Sequence, residues 1–281
     1  MWFLKRRPVV PVIRFSGPIG MATPLRPGLS IAGVAGALDR AFSLSKVPTV
    51  AVVVNSPGGS PVQSNLIFKR IRQLADEKKK KVYVFCEDVA ASGGYFLAVA
   101  GDEIYADPSS IVGSIGVISA SFGFDKAIEK LGIERRVYTA GANKLILDPF
   151  QPEKASDIER VKEIQKDVHD VFIGIVKDRR ASRLKGHDQD LFSGAFWAAP
   201  RALELGLIDG VSDVRSKMRE IHGEKVQLKV VPFSSGGMLS RLLRGPRLMH
   251  TPSTDAGLPL ALGDDLMSAI ETRALWSRYG L

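Results

Sequence analysis

Val84-Phe-Cys-Glu-Asp-Val-Ala-Ala-Ser-Gly-Gly-Tyr-Phe-Leu-Ala-Val-Ala100 places one hydroxyl, that of Ser92, at a bend between two apolar runs. Val82, Val84 and Phe85 belong to a β-branched and aromatic run that reads as a core strand. Tyr95, Phe96, Leu97 and Val99 continue without a charge until Gly101 and Asp102, as a buried helix would. The bend therefore lies inside the protein. Gly93-Gly94 lets backbone from elsewhere come close and leaves free N–H groups at the helix start, where negative charge is favoured. A serine so placed can attack a carbonyl carbon while neighbouring amides hold the oxyanion. The competing reading is a helix cap, the commonest role of a serine ahead of an apolar helical run.

A second unit of the same kind lies upstream. Val47 to Val54 is an almost continuous apolar strand of the kind buried on both faces, and it runs into Asn55-Ser-Pro-Gly-Gly-Ser-Pro61. Ser60 caps the next helix with Pro61 in its first position, and Val62, Leu66, Ile67, Ile71 and Leu74 form one apolar stripe. Two consecutive strand-glycine-helix units put Gly58-Gly59 and Ser92-Gly93-Gly94 at the same end of a parallel sheet, where ligands collect. Pro-Gly-Gly is equally an ordinary turn signal.

Further upstream, Pro8 to Phe15 forms a first strand and Ile31 to Phe42 a helix. Downstream, Asp102 to Ala106 is a short strand, Ile111 to Ser121 another buried one containing Ser114, and Ala127 to Leu131 a short helix. Glu134 to Thr139 reads as an exposed strand, after which Lys144 enters Leu145-Ile-Leu147 as a lone charge. Glu153 to about Arg180 is one long amphipathic helix, with Ile158, Val161, Ile164, Val168, Phe172 and Ile175 at steps of three and four. Helices near Pro200 to Leu205 and up to Ile221 precede a closing strand, Val226 to Phe233. These elements define one domain over 8–233, flanked by a basic stretch over 1–7 and a tail over 234–281. The tail is rich in Ser, Gly and Pro and carries two helical pieces, Met238 to Leu243 and Leu266 to Tyr279.

At 281 residues, with 45% hydrophobic and 25% charged, the composition is that of an ordinary globular protein. The formal charge of +9 is spread out apart from Lys5-Arg-Arg7 and Lys78-Lys-Lys-Lys81, which read as solvated ends, and no nucleic-acid signature accompanies them. The single cysteine, Cys86, excludes an intrachain disulfide and a cysteine-built zinc site, and fits a reducing, cytoplasmic setting. No apolar run approaches the roughly twenty residues needed to span a bilayer, so any membrane contact is peripheral. Nothing in the pattern requires a cofactor or a metal.

A serine nucleophile needs a base. His169, His187, His222 and His250 all lie away from the glycine turns, which disfavours a Ser-His-Asp arrangement. The other base is an unprotonated lysine. A free lysine has a pKa of about 10.4, so work near neutral pH requires a depression of roughly three units, about 4 kcal/mol, which burial can supply. Lys144, with Asp148 its nearest acid in sequence, is the best-placed candidate, although on spacing alone a surface lysine is the commoner reading.

Five stretches, Asn55-Ser-Pro-Gly-Gly59, Ala90-Ala-Ser-Gly-Gly-Tyr95, Gly113-Ser-Ile-Gly-Val117, Tyr138-Thr-Ala-Gly-Ala-Asn-Lys144 and Ala202-Leu-Glu-Leu-Gly-Leu-Ile-Asp209, resemble the signal peptide peptidase A family, in particular its SohB-like branch. The resemblance covers about residues 8 to 233. It implies an α/β fold of Clp and crotonase type built from repeated ββα units with flanking helices. It further implies a serine endopeptidase with Ser92 as nucleophile, Lys144 as general base, Ser114 orienting the lysine amine, and Gly93 and Gly59 as oxyanion donors. Peptide substrates, largely apolar and extended, and a homo-oligomer in the form of a ring or dome follow from the same resemblance. In short-chain members the dyad can form between neighbouring subunits. Membrane-bound members carry an N-terminal transmembrane helix, a point of departure for this chain. Two other classes fit parts of the pattern: a crotonase-like acyl-CoA enzyme, which would use the paired amides without Ser92 or Lys144, and a catalytically silent scaffold at a membrane.

Overall fold

A computed structural model describes residues 7–20, 28–141, 143–233 and 269–281. In chain order the first elements are β1 Val9–Ser16, α1 Ile31–Ser43, β2 Thr49–Ser56, α2 Pro61–Lys78, β3 Lys81–Ala91 and α3 Gly93–Ala98. They continue with β4 Glu103–Ala106, β5 Ile111–Gly113, α4 Asp125–Lys130, α5 Ala155–Arg180 and α6 Asp188–Leu191. The last are β6 Phe196–Ala198, α7 Ala199–Glu204, β7 Gly210–Val211, α8 Val214–His222 and β8 Gln227–Val230, with a final helix, α9, over 269–277. The expected helix at Met238 to Leu243 and the stretch before Arg7 lie outside the described residues.

The sheet runs β6-β5-β3-β2-β1-β8, parallel throughout except where β5 meets β6. β3 has two neighbours on one side: Tyr83 to Cys86 pair with β4, and Val89 to Ala91 pair with β5. That split separates two sheet branches beyond β3, and Ser92 follows directly on the second. Alternation along the strands sorts side chains between two cores. Phe15, Val52, Val54, Val84 and Ile104 meet the helices on one face, while Val12, Val53, Phe85 and Tyr105 pack with Met218 of α8 on the other. This is the mixed α/β architecture, a central sheet flanked by helices, that the resemblance implied.

Local chemistry starts the helices where expected. Ser30 and Ser60 accept from the N–H groups of Gly33 and Gln63, Pro61 opens α2, and Lys79 closes it in the left-handed conformation, so that Ile67, Ile71 and Leu74 face the core. Val62 and Leu66, expected on the same buried stripe, are exposed.

Residues 114–154 depart from the expectations. The strand expected to reach Ser121 ends at Gly113, and no strand forms over 134–139; neither segment has a partner strand among the described residues. The residues form instead an arm with its own small contacts: Arg135 pairs with Asp148 and lies over the Phe150 ring, which packs on Phe124, which in turn meets Phe122. α4 buries no residue. The expected stripe of α5 is likewise buried only toward its end, at Phe172 and Val176, and Ile164 is exposed.

That end of α5 is firmly held. Arg180 is buried and donates to both carboxylate oxygens of Asp209, at 2.7 and 3.1 Å, and to the Gly206 carbonyl. Arg179 reaches the carbonyls of Val99 and Gly101 at the end of α3, and Phe172 stacks on Phe96 of α3 at 4.8 Å. The helix is thus fixed beside the Ser92 turn at one end and joined to the arm at the other.

Candidate active site

β3 ends at Ala91 and α3 begins at Gly93, so Ser92 alone makes the turn. Its backbone takes φ 52° and ψ −123°, a conformation that costs a residue with a Cβ roughly 1–3 kcal/mol. Surrounding bonds hold it there: the Ser92 N–H donates to the Gly113 carbonyl at 2.8 Å, and its own carbonyl accepts from the Phe96 N–H at 3.0 Å. Behind the turn Tyr95 is buried and donates its hydroxyl to the Leu207 carbonyl at 2.7 Å; burial pushes that phenol above its ordinary range. The Ser92 hydroxyl makes no capping bond to the helix it precedes. The capping reading therefore fails. A side-chain oxygen presented on a strained strand-to-helix turn is the arrangement that exposes a nucleophile.

Gly59 comes up against this turn from the neighbouring unit. Ile19 donates to the Gly58 carbonyl at 2.8 Å and accepts from the Ser60 N–H at 2.8 Å, which aims the Gly59 N–H between them to the opposite side. A Cβ at Gly59 would stand 2.2 Å from the Ile19 carbonyl oxygen, and φ is 139°, so only glycine fits. A Cβ at Gly93 would approach the Gly59 nitrogen to 3.2 Å, so the two amides are neighbours. Gly93 stands first in α3, where an N–H has no acceptor within its own helix. Neither N–H donates within the described residues.

Ser92, Gly93 and Gly59 share a cleft of about 420 Å³ whose walls, Val62, Phe96, Ile118 and Phe172 among them, are mostly apolar. Ser114 directly follows the residue whose carbonyl holds Ser92. It is buried, takes φ 53°, and donates its N–H to the Ala195 carbonyl at 2.7 Å. Four of the five expected site residues are thereby brought together. Lys144 is not: it lies exposed on the arm, where its N–H donates to the Gly141 carbonyl, and it is absent from the cleft walls. Asp148, its nearest acid, pairs with Arg135 instead.

The described histidines stay out of the cleft. His169 bonds the Ile115 carbonyl at 3.0 Å through Nε2, and His222 bonds the Thr49 hydroxyl at 3.0 Å. Among the described residues no group of His, Cys, Asp and Glu could hold a metal ion.

Several cleft residues were not foreseen. Asn65 of α2 lines it with a buried side-chain oxygen that has no partner. Its place one turn after Pro61, beside the glycine turn, was the only signal. Leu275 and Arg278, from α9 and just beyond it, complete the wall, and Tyr279 donates its hydroxyl to Ser114 Oγ at 3.3 Å. Nothing in sequence spacing connects Tyr279 with Ser114.

Among known proteins, the chain is similar to two named Na(+)/H(+) antiporter NhaA, from Brucella abortus and Brucella melitensis: 56% and 55% identical over 97% of this chain and 37% of each relative. The chain thus spans little more than a third of the length of these curated relatives. Among its described residues no helix is long and apolar enough to cross a membrane. It is also 33% identical, over 61% of its length and 25% of the relative's, to the chloroplastic serine protease SPPA of Arabidopsis thaliana. Residues 75–228, more than half of the chain and the part that carries Ser92, Ser114 and Lys144, match peptidase family S49, and the chain belongs to that family.

Proposed function

We propose that the chain is a serine endopeptidase of the signal peptide peptidase A type, which cleaves extended, largely apolar peptides through an acyl-enzyme. The observation that carries this reading is Ser92 itself: an uncapped hydroxyl on a strained turn, beside two amides that have no other acceptor. Lys144 takes the Ser92 proton as Oγ attacks the peptide carbonyl carbon. The carbonyl oxygen, now negative, sits between the Gly59 and Gly93 N–H groups. Collapse of this intermediate breaks the C–N bond, and the departing amine takes the proton from the lysine. Water, activated by the same lysine, then hydrolyses the ester.

The base comes from a second copy of the chain. The arm that bears Lys144 exposes Phe122, Leu131 and Tyr138 at 76%, 72% and 91%, an apolar density that a monomer seldom leaves in water. Packing the arm against a neighbour covers these side chains and gives the lysine the dry surroundings a neutral amine needs. The peptidase unit spans 8–233. A cytoplasmic place fits the single free, buried cysteine, and peripheral membrane contact fits the similarity to longer proteins named as antiporters.

Mixing two inactive chains tests the reading. Ser92→Ala and Lys144→Ala proteins, each without peptide turnover, regain activity when dissociated and reassembled together, and a serine-reactive fluorophosphonate marks only chains that keep Ser92. Full activity of Lys144→Ala alone would remove the dyad, and labelling that persists in Ser92→Ala would remove the nucleophile.

A further inference from the structure

We propose that α9 is a built-in plug: in the isolated chain it narrows the cleft beside Ser92 and sets the Tyr279 hydroxyl at Ser114, in the place the base's amine must take. The second half of this statement rests on the peptidase reading above. The first half rests on contacts alone.

Leu275 and Arg278 form part of the wall that also holds Ser92, Gly93 and Ile118. Tyr279 is only 6% exposed. Its ring packs with Val89 and Ala91, the last turns of the strand that leads into Ser92, and meets Phe196 edge-on at 5.1 Å. Trp276 lies half-buried on the same cluster. The hydroxyl reaches Ser114 Oγ at 3.3 Å and the Pro57 carbonyl at 3.4 Å, one from each of the two turns that build the site.

Both bonds are at the long end of the range for an O–H donor, so they contribute little. The hold comes mainly from burying the Tyr279 ring and the Trp276 and Leu275 side chains. Such a contact narrows the cleft and occupies Ser114, yet it yields to a competitor that brings comparable apolar surface and a better partner for Ser114. An extended apolar peptide supplies the surface. The amine of Lys144 from a second copy supplies the partner. Substrate and assembly both displace α9, and the isolated chain stays closed.

The test uses the whole chain and two variants: Tyr279→Phe, which removes only the hydroxyl, and Leu275→Asp with Tyr279→Ala, which removes the hold. Amide hydrogen exchange over 269–281 and the rate of fluorophosphonate labelling at Ser92 are measured on each. The plug predicts protection of 269–281 in the wild type and its loss in the double variant. With a cleft open for about a tenth of the time in the wild type, labelling accelerates about tenfold. Tyr279→Phe falls between. Free exchange of 269–281 in the wild type, or released exchange with unchanged labelling, overturns the proposal. Absence of label in every form would sink the peptidase reading and leave the plug to the exchange data, where release of 269–281 must also deprotect Ser92 to Gly94. Should the double variant fail to fold, an apolar peptide boronate bound to wild-type Ser92 serves instead: it must release 269–281, and continued protection with the boronate bound rules the plug out.

Discussion

Ser92 and Lys144 stand in regions built by opposite rules. Around Ser92 every turn is fixed from several sides: parallel strands below, α3 behind, Gly113 and Ile19 across, and the buried Arg180–Asp209 pair holding α5 alongside. Around Lys144 the chain touches mostly itself, through two ion pairs and three phenylalanine rings, and its apolar side chains face water. The first region is a finished structure. The second leaves large apolar side chains exposed, Phe122, Leu131 and Tyr138 among them. A strained nucleophile can be held only by the first kind of region, whereas a base that arrives with assembly can belong to the second.

Substitutions on the two sides of this divide should behave differently. Ser92→Ala is the largest: loss of the attacking oxygen is expected to lower peptide turnover by about 10⁴-fold or more, with thermal stability nearly unchanged because alanine keeps the strained Cβ. Arg180→Ala empties a buried site and leaves the half-buried Asp209 without its main partner, and is expected to cost about 3 kcal/mol in urea unfolding, a loss the arm cannot produce at any position. Gly59→Ala forces a Cβ onto the Ile19 carbonyl and turns one amide away from the oxyanion, lowering kcat by about 10²–10³-fold. A kcat within twofold of wild type would mean that Gly59 only makes a turn.

Cys86 reports on the dryness of the body by pH. Burial raises its thiol from an ordinary value near 9 to about 12. The unfolded chain then releases a proton that the folded chain keeps, so the contribution to stability is complete below pH 9 and falls as pH rises from there toward 12. The slope approaches about 1.4 kcal/mol per pH unit. Urea midpoints at pH 8 and 9.5 should fall further for wild type than for Cys86→Ala. Parallel decline in the two proteins would place water at Cys86.

How much was legible in the sequence follows the same divide. Strands and helices up to Gly113 were readable because their periodicity is answered inside the chain: Val52, Val54 and Val84 need both faces buried, and Ser60-Pro61 starts a helix by local chemistry. Ser92 with its two glycine amides was readable for that reason too. Beyond Gly113 the β-branched runs at 115–121 and 134–139 carried the same signal without a partner strand to realise it, and the α5 stripe before Phe172 has no core to meet. Period alone does not say whether the surface that answers it lies in the same chain. Tyr279 at Ser114 was illegible for another reason, since a contact across 165 positions leaves no trace in spacing.

The smallest effect on folding is expected where the effect on assembly is greatest. Phe122, Leu131 and Tyr138 are open to water, so replacing each by serine changes little in the folded chain, about 0.5 kcal/mol or less per site. If the arm covers itself with a second copy, the same three changes weaken association, and specific activity becomes steeply dependent on protein concentration while the urea midpoint of the body stays put. Light scattering and turnover measured over a dilution series separate the two quantities. Were the triple variant to keep both its mass and its activity on dilution, the arm would be an exposed surface like any other, and Lys144 would have to reach Ser92 within its own chain by folding the arm back over Ile118.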